Sequence, residues 1–327
     1  MSERLRILLD GYIDSNFGDD LMLYLAADGL KEHKLYITSP KLDIAEYTEE
    51  KNGFDCYLKV TGSGFLIHNN KGIAYRMRDM CREKKYSKNR AVINCNISGF
   101  INRFAEKIIQ KQISDYDFVT VRDRYSYEYI TKNIPNVKCE KYTDMVLSLS
   151  DEMIPNVYSE NALGISVHKS ADVNLLAEIA DRFVDETGRN VCLLCFNTGL
   201  EDDVNVANQV YNIMKNKNIT EIIRYTNIND MLKNIKRCGV ILGIRFHSAM
   251  LALRMGIPVV PIAYSDKTKN ALDEIGYIGK IYDVNNIKTD EVLKSVLNAV
   301  PYTLDGNIIK SAGNHIKRFD EYIKRQY

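Results

Sequence analysis

Short apolar segments alternate with helical patterns along most of the chain, and this rhythm limits the possible fold more than any other feature. Apolar runs of strand length include "RILLDGYI" and "DFVTVRD", and helical periodicity is clear in "DDLMLYLAADGLKEH" and "INRFAEKIIQKQ". The alternation resumes in the second half with "ALGISVHKS" and "GVILGIRFHS". Strands that alternate with crossover helices are typical of parallel sheets. We therefore predict an α/β protein with doubly wound, Rossmann-like sheets.

The alternation weakens over residues 151–160, "DEMIPNVYSE", which contain a proline and several polar side chains. A chain of 327 residues is long enough for about two domains. We predict an N-terminal α/β domain over 1–155, a C-terminal α/β domain over 156–300 and an amphipathic C-terminal helix over 301–327. Ligands of such sheets bind beyond the carboxyl ends of the strands, so two domains that face each other would form a cleft lined by these loops.

The overall charge and the cysteines exclude several classes of protein. A formal net charge of +1 argues against nucleic-acid binding, which requires a strongly basic face. The seven scattered cysteines predict reduced thiols and a cytoplasmic location, and Cys192 and Cys195 are predicted to be buried. The start "MSERLRILLDGY" does not resemble a signal peptide. No apolar run reaches the roughly 20 residues of a membrane helix, so at most peripheral membrane contact is expected.

Cations follow the apolar strands of the second half. Arg245 and His247 stand where a strand gives way to a helix, and Lys267 follows the next strand. A helix N-terminus is already electropositive, so these side chains add charge where the helix dipole disfavours it. A bound phosphate or carboxylate would resolve that conflict. The alternative is a half-buried, hydrogen-bonded His247 and a surface Lys267. Two other strands end at His168 and at Asn197.

Three strand ends of the first half offer weaker candidates. The turn "DSNFGDD" contains Asn16 and Asp19, and either a ligand or capping of the next helix by Asp19 or Asp20 would explain it. Gly62 and Gly64 allow close approach of a ligand to the backbone, although a plain turn would also suit them. Arg122 follows "DFVTV" and could bind a ligand; alternatively, Arg122 and Asp123 could pair with each other or cap the next helix.

Several separated segments resemble the polysaccharide pyruvyl transferase family, in the order in which that family has them. "GYIDSNFGDD" is similar to an N-G-D turn, "GSGFL" to a glycine-rich turn, "DFVTVRDRYS" to a V-R-D-x-x-S segment and "YTDMVLSL" to a T-D element. The most specific part is "GIRFHSAMLALRMGIPVVPIAYSDK", which is similar to the R-x-H helix, G-x-P turn and late lysine of the family.

The resemblance implies a two-domain fold like that of glycosyltransferase-B enzymes and transfer of a pyruvyl group from phosphoenolpyruvate to a sugar, forming a ketal. It implies that His247 is the acid–base residue and that Arg122, Arg245 and Lys267 bind the donor. No metal or other cofactor is implied. The acceptor is expected to be a lipid-linked or nucleotide-linked sugar of a cell-envelope glycan. Its weaker candidate contacts are Asn16, Asp19, Gly62, Gly64, His168 and Asn197.

Some residues depart from the family pattern. Asp266 precedes the late lysine, "NCNISGF" replaces a glycine-proline turn, and Ser63 interrupts the glycine run. Two alternatives therefore stay open. One is a nucleotide-sugar-dependent glycosyltransferase of the same fold, and the other is a non-catalytic glycan-binding protein.

Overall fold

A computed structural model of the chain describes residues 4–67 and 69–327. Met1–Glu3, which begin the segment considered above as a leader peptide, lie outside the described residues, as does His68. The chain forms two compact units. Unit 1 consists of the described part of Met1–Ile13, Asp19–Ser148 and Ile309–Tyr327, and unit 2 consists of Asp14–Gly18 and Leu149–Ile308.

A parallel sheet forms the centre of unit 1, with strand order β3-β2-β1-β4-β6-β8-β9. A separate parallel pair, β5-β7, follows the ends of β4 and β6 along the chain. β1 and β8 coincide with the predicted apolar runs "RILLDGYI" and "DFVTVRD". The strands are β1 (Arg6–Gly11), β2 (Lys34–Ile37), β3 (Glu46–Tyr47), β4 (Cys56–Val60), β5 (Phe65–Ile67), β6 (Asn89–Cys95), β7 (Ile97–Phe100), β8 (Phe118–Val121) and β9 (Cys139–Lys141).

Amphipathic helices cover this sheet. They are α1 (Phe17–Gly29), α2 (Asn70–Tyr86), α3 (Arg103–Ser114), α4 (Arg124–Asn133) and, at the C-terminus, α11 (Gly306–Lys324). Asn69, Asn102 and Asp123 cap α2, α3 and α4 by accepting from a backbone N–H of the first turn. Asp123 is thus the cap that the sequence suggested, while α1 is preceded by Asn16, whose Oδ1 accepts from Gly18 N at 3.1 Å.

A buried charge cluster attaches α2 to the sheet. Lys59, in the middle of the fully buried β4, places its Nζ 2.6 Å from Asp79 and 2.7 Å from Glu83. Both carboxylates are almost fully buried on one face of α2. Burial opposes the charged lysine, but the two carboxylates raise the pKa of Lys59 above its ordinary value. The opposite face of α2 is therefore the face that meets solvent.

The C-terminal helix packs on unit 1 through a buried histidine. His315 on α11 donates from Nε2 to the carbonyl of Thr143 at 2.9 Å, and its Nδ1 lies 2.5 Å from the Thr120 hydroxyl. Burial lowers the pKa of His315 to about 4, so the ring is neutral near pH 7. Most of the helix groups with unit 1.

Unit 2 contains a second parallel sheet, with strand order β12-β11-β10-β13-β14-β15. Its strands are β10 (Ala162–Ser166), β11 (Val191–Cys195), β12 (Thr220–Arg224), β13 (Cys238–Gly243), β14 (Val259–Ala263) and β15 (Tyr282–Asp283). Its helices are α5 (Val173–Thr187), α6 (Asp203–Ile213), α7 (Ile228–Arg237), α8 (Phe246–Arg254), α9 (Asp266–Glu274) and α10 (Thr289–Leu297). Short 3-10 helices occur at Met145–Ser148 in unit 1 and at Asp151–Met153 and Lys217–Ile219 in unit 2.

The central strands of unit 2 are buried along their whole length because helices cover both faces of the sheet. β10, β11 and β14 have no exposed residue. Cys192 and Cys195 are buried free thiols within β11, as predicted. Each unit is a doubly wound parallel α/β domain, so the predicted fold class is confirmed. The second segment of unit 1 ends at Ser148, and the chain returns to unit 1 at Ile309; the sequence predicted a boundary at 155.

Candidate functional site

The strand order of unit 2 reverses at β10. β11 and β12 extend the sheet on one side of β10, and β13 to β15 extend it on the other. In doubly wound sheets this switch point opens a crevice at the carboxyl ends of the strands, where ligands bind. The candidate site of unit 2 therefore lies at the ends of β10 and β13.

A serine at the end of β10 fixes the turn after β13. The Oγ of Ser166 accepts from the backbone N–H groups of Ile244 and Arg245, at 2.9 and 3.1 Å. The same Oγ lies 2.6 Å from the hydroxyl of Ser248 in the first turn of α8. All four residues are buried, so the backbone that presents Arg245 and His247 is held rigidly.

Arg245 is bound by two carboxylates of the protein itself. Its Nε donates to Asp203 Oδ2 at 3.0 Å and its Nη2 donates to Asp203 Oδ1, while Nη1 donates to Glu201. Burial alone would lower the pKa of Arg245, but the hydrogen bonds that it donates to these carboxylates, and their negative charges, raise the pKa above its ordinary value. Asp203 and Glu201, at the start of α6, therefore compensate the positive charge that Arg245 adds at the N-terminus of α8.

Asp203 and Glu201 differ in how firmly they are held. Asp203 is fully buried and also accepts from the backbone N–H of Asn197 at 2.8 Å. The side chain of Glu201 is 35% exposed. Burial opposes ionisation of Glu201, yet the Arg245 charge lowers the pKa of that carboxyl. Asp203 thus orients the guanidinium, and Glu201 occupies its more accessible edge.

His247 and Lys267 meet at one aromatic ring. The Phe246 ring lies edge-on to His247, with centroids 5.0 Å apart, and Lys267 Nζ lies 4.8 Å from the Phe246 centroid. His247 and Lys267 are both half-buried. Two candidate residues from consecutive strand ends are thus brought together beside the Arg245 turn.

The imidazole of His247 packs against Gly18. A Cβ on Gly18 would overlap the His247 ring, so no other residue fits there without a shift. Gly18 belongs to the segment Asp14–Gly18, which the sequence analysis placed in the first domain. The structure groups this segment with unit 2 instead.

Backbone contacts explain why Asp14–Gly18 joins unit 2. Phe17 N donates to Phe196 O at 2.8 Å, and Thr198 N donates to Ser15 O at 3.0 Å. Asn16 and Asn197 form an antiparallel bridge. The Phe17 ring packs on Phe196, with centroids 5.1 Å apart. Asn16 therefore lies beside Asn197 in unit 2, whereas Asp19 follows in unit 1 within α1.

Asn197 is fully buried at the end of β11. Its Oδ1 accepts from Gly199 N at 2.9 Å, and its own backbone N–H donates to Asp203. Among the described residues, Asn197 Nδ2 has no hydrogen-bond partner. A buried amide donor of this kind requires a partner, and a ligand hydroxyl or an ordered water would provide one.

His168 lies at the end of β10 and is neutral near pH 7. Burial, reinforced by the charge of Arg245, lowers the pKa of His168 to about 4. Its ring stacks on Tyr264 with a centroid distance of 4.4 Å. Its Nδ1 accepts from the backbone N–H of Ser170 at 3.2 Å, so the ring proton belongs to Nε2. His168 also feels the charges of Glu201 and Lys267, which places it in the same site.

Asp266, the unexplained departure from the family pattern, is the first residue of α9 and is exposed. A carboxylate in the first turn of a helix interacts favourably with the helix dipole. Its position is accounted for by helix stability.

Arg122 lies in unit 1 and is 2% exposed. Its Nη1 donates to Asp144 Oδ2 at 2.5 Å, so its carboxylate partner is Asp144 and not the adjacent Asp123. A Cβ on Gly62 would come within 2.8 to 3.1 Å of the guanidinium, whereas one on Gly64 would meet the Thr61 side chain. Gly62 is therefore required for the packing of Arg122.

Comparison with known proteins identifies the family. The family model "Polysaccharide pyruvyl transferase" matches residues 16–266, more than half of the chain. The chain belongs to the polysaccharide pyruvyl transferase family. A comparison with curated proteins found no significant match.

Solved structures share the fold of this pyruvyl transferase family member at low sequence identity. UDP-GlcNAc 2-epimerase from Methanocaldococcus jannaschii is 12% identical with a TM-score of 0.62, covering 98% of this chain and 100% of the epimerase. The Neisseria meningitidis epimerase bound to UDP-GlcNAc is 12% identical, with a TM-score of 0.58 and coverage of 98% and 99%. A glycosyltransferase from Rickettsia africae is 11% identical, with a TM-score of 0.53 and coverage of 99% and 98%.

Within the family match, sequence patterns alone did not reveal the partners of the two arginines. Asp203 is 42 positions from Arg245 and Asp144 is 22 from Arg122. The acidic run Glu201–Asp203 lies at the start of α6, where Asp202 is the cap. Across residues 4–67 and 69–327, the structure contains no group of three or more His, Cys, Asp or Glu side chains that could hold a metal ion. None of the helices in that part of the chain is long and apolar enough to cross a membrane.

Proposed function

We propose that the protein transfers the pyruvyl group of phosphoenolpyruvate to two hydroxyls of a sugar, forming a cyclic ketal. The family supports pyruvyl transfer to a polysaccharide or its precursor. The observation that supports the site is the convergence of Arg245, His247 and Lys267 beyond β13 and β14. Phosphoenolpyruvate has a carboxylate and a phosphate, and two cationic side chains with one proton-transfer group suit that donor.

The proposed reaction is balanced without a cofactor. One sugar hydroxyl forms a bond to C2 of phosphoenolpyruvate and loses its proton, and the methylene carbon C3 gains one proton to become a methyl group. The C2–O bond to phosphate then breaks, and phosphate leaves with the bonding electron pair. The second hydroxyl bonds to C2 and releases its proton to phosphate or solvent. The products are a pyruvyl ketal and inorganic phosphate.

Each site residue has a role in this proposal. His247 is the acid–base residue, since an imidazole moves protons near neutral pH. Arg245 and Lys267 bind the donor anion, and Arg122 is the proposed donor contact of unit 1. The remaining candidates, Asn16, Asp19, Gly62, Gly64, His168 and Asn197, are proposed for the acceptor. Of these, His168 presents an Nε2–H donor and Asn197 a buried amide donor.

Phosphate release from phosphoenolpyruvate tests the function, measured against a panel of lipid-linked and nucleotide-linked sugars. We expect release only when a suitable acceptor is present. Phosphoenolpyruvate alone should raise the melting temperature, since a ligand at about 100 times its Kd stabilises a fold by about 2.7 kcal/mol. Stabilisation by uridine or guanosine nucleotides instead would indicate a glycosyltransferase. Binding of an oligosaccharide with no response to phosphoenolpyruvate would indicate a non-catalytic protein.

The two carboxylates on Arg245 should have opposite effects on donor binding. Asp203→Asn removes the charge that orients the guanidinium, and hydrogen bonds to charged groups contribute about 1.5–3 kcal/mol. We expect the Kd for phosphoenolpyruvate to rise about tenfold to a hundredfold. Glu201→Gln removes a partly exposed competitor for Nη1, so the Kd should fall by up to about fivefold.

Titration of each variant with phosphoenolpyruvate, followed by thermal unfolding or calorimetry, measures the two effects. Asp202→Asn is the matched control, because Asp202 lies between the two carboxylates and caps α6 without contacting Arg245. If Glu201→Gln and Asp203→Asn weakened donor binding equally, the two carboxylates would share one structural role and this division between them would be wrong.

A further inference from the structure

Unit 1 exposes several large apolar side chains on the N-terminal half of α2 and at the starts of α3 and α4. Single exposed apolar residues are ordinary, but a group of them marks an interaction surface. The exposed fractions lie between 41% and 60%. We call this surface the rim patch, and its apolar members are Tyr75, Met77, Ile101, Phe104 and Tyr125.

Contacts around the β5-β7 pair connect α2 to the start of α3. The Arg76 guanidinium lies 5.8 Å from the Tyr75 ring centroid and 6.0 Å from that of Phe65 on β5. Ile101 N donates to Ile67 O, the end of β5, at 3.0 Å. Tyr75 and Ile101 therefore flank the same short strand.

A second set of contacts connects α3 and α4 to the same strand pair. The Tyr129 ring lies 5.8 Å from Phe100 on β7 and 6.5 Å from Tyr125. The Tyr129 hydroxyl donates to Glu106 on α3 at 2.6 Å, two residues after Phe104. The members of the rim patch thus lie on or beside three helices that are attached to one strand pair.

Five exposed cations surround these apolar side chains, and none of them forms an ion pair with another described residue. Lys71, Arg103 and Arg124 lie in first helical turns, where a cation gains nothing from the helix dipole, so helix stability does not explain these three. Of the acidic residues on the same turns, Asp79 and Asp123 are buried and bonded, which leaves Glu106 and Glu128 against the five cations. The cations are Lys71, Arg78, Arg103, Lys107 and Arg124.

We propose that the rim patch docks unit 1 on a membrane surface that contains anionic lipids. Aromatic side chains favour the headgroup region of a bilayer, and basic side chains add attraction to anionic lipids. A second copy of the chain is a poorer occupant, because a two-fold contact would place this net positive surface against itself. The proposal does not depend on pyruvyl transfer, although a lipid-linked acceptor would be presented at such a surface.

Flotation of the full-length protein with lipid vesicles tests the docking surface. We expect the protein to float with vesicles of phosphatidylcholine mixed with phosphatidylglycerol. With vesicles of phosphatidylcholine alone, it should remain in the bottom fraction. High salt should release it, because salt screens exposed charges. Failure of the wild-type protein to float with anionic vesicles at low salt would overturn the proposal.

Paired variants locate the surface. Lys71→Gln with Lys107→Gln should weaken partitioning about 30-fold, since one cation near an anionic surface contributes about 1 kcal/mol. Phe104→Ser with Tyr125→Ser should weaken it about tenfold or more. The matched controls are Lys310→Gln with Lys317→Gln on α11, and Tyr158→Ser with Ile278→Ser in unit 2, where the side chains are 87% and 91% exposed.

The controls should float like the wild type, and all variants should show the wild-type melting temperature. Equal flotation of patch and control variants would contradict the proposal. Self-association in sedimentation velocity that Phe104→Ser abolishes would also contradict it, because a second copy would then cover the patch.

Discussion

Replacing His247 by glutamine should lower the kcat of acceptor-dependent phosphate release by about 10²–10⁴-fold, the usual contribution of a general acid or base. Glutamine keeps a hydrogen-bonding side chain of similar reach but cannot transfer a proton near pH 7. Because Arg245 and Lys267 remain, the Kd for phosphoenolpyruvate should change little. Steady-state phosphate release and a binding titration separate the two quantities.

A near-wild-type kcat in the His247→Gln protein would remove this histidine from the chemistry. A large rise in the Kd with unchanged kcat would show instead that His247 only binds the donor. A melting temperature close to that of the wild type is expected for this half-buried side chain, so a loss of activity through unfolding can be recognised.

The packing of His247 on Gly18 adds an independent test of its orientation. Gly18→Ala places a methyl group where the imidazole lies, so the ring must turn away or the segment Asp14–Gly18 must shift. We expect a loss of kcat of the same sign as in His247→Gln. Gly306→Ala is the matched control, because a Cβ at Gly306 meets no neighbouring atom within 4 Å.

The fold could be read from the sequence because apolar runs of five or six residues are the strands at the centre of each sheet. β10, β11 and β14 are buried on both faces, and such strands appear as continuous apolar segments. The sequence missed β3 and β15, which have two residues each. Strands of that length have no periodicity, and their pairing depends on neighbours that only the folded chain provides.

The candidate site was predictable in its cations and not in their partners. Arg245, His247 and Lys267 follow strands directly, so position in the chain reveals them. Their surroundings come from remote segments: Asp203 from the start of α6, and Gly18 from a segment that packs on unit 2. No spacing rule links residues that tertiary packing brings together. The sequence therefore indicates an anion at Arg245 but does not show that Asp203 and Glu201 provide one.

Asp144→Ala, which removes a carboxylate partner of Arg122, should lower the free energy of unfolding more than any other substitution proposed above. Arg122 and Asp144 side chains are each 1% exposed, and breaking a buried ion pair by removing one member costs about 3–5 kcal/mol. Asp144→Ala removes the carboxylate that the buried Arg122 guanidinium contacts through Nη1. Thermal unfolding of the full chain should show a clear fall in the melting temperature of unit 1. Asp28→Ala is the control, since the exposed pair Asp28–Lys31 should contribute less than about 1 kcal/mol.

The double variant Arg122→Met with Asp144→Leu distinguishes a structural role of Arg122 from a role in donor binding. Replacing both members of a buried pair by apolar side chains is often close to neutral for stability, so the double variant should be more stable than Asp144→Ala. If Arg122 contacts phosphoenolpyruvate as proposed, stability is recovered while the Kd for phosphoenolpyruvate stays raised. If the Arg122–Asp144 pair only holds β8 and the Gly62 turn in place, the double variant should recover donor binding together with stability. Arg122 would then not be a donor contact.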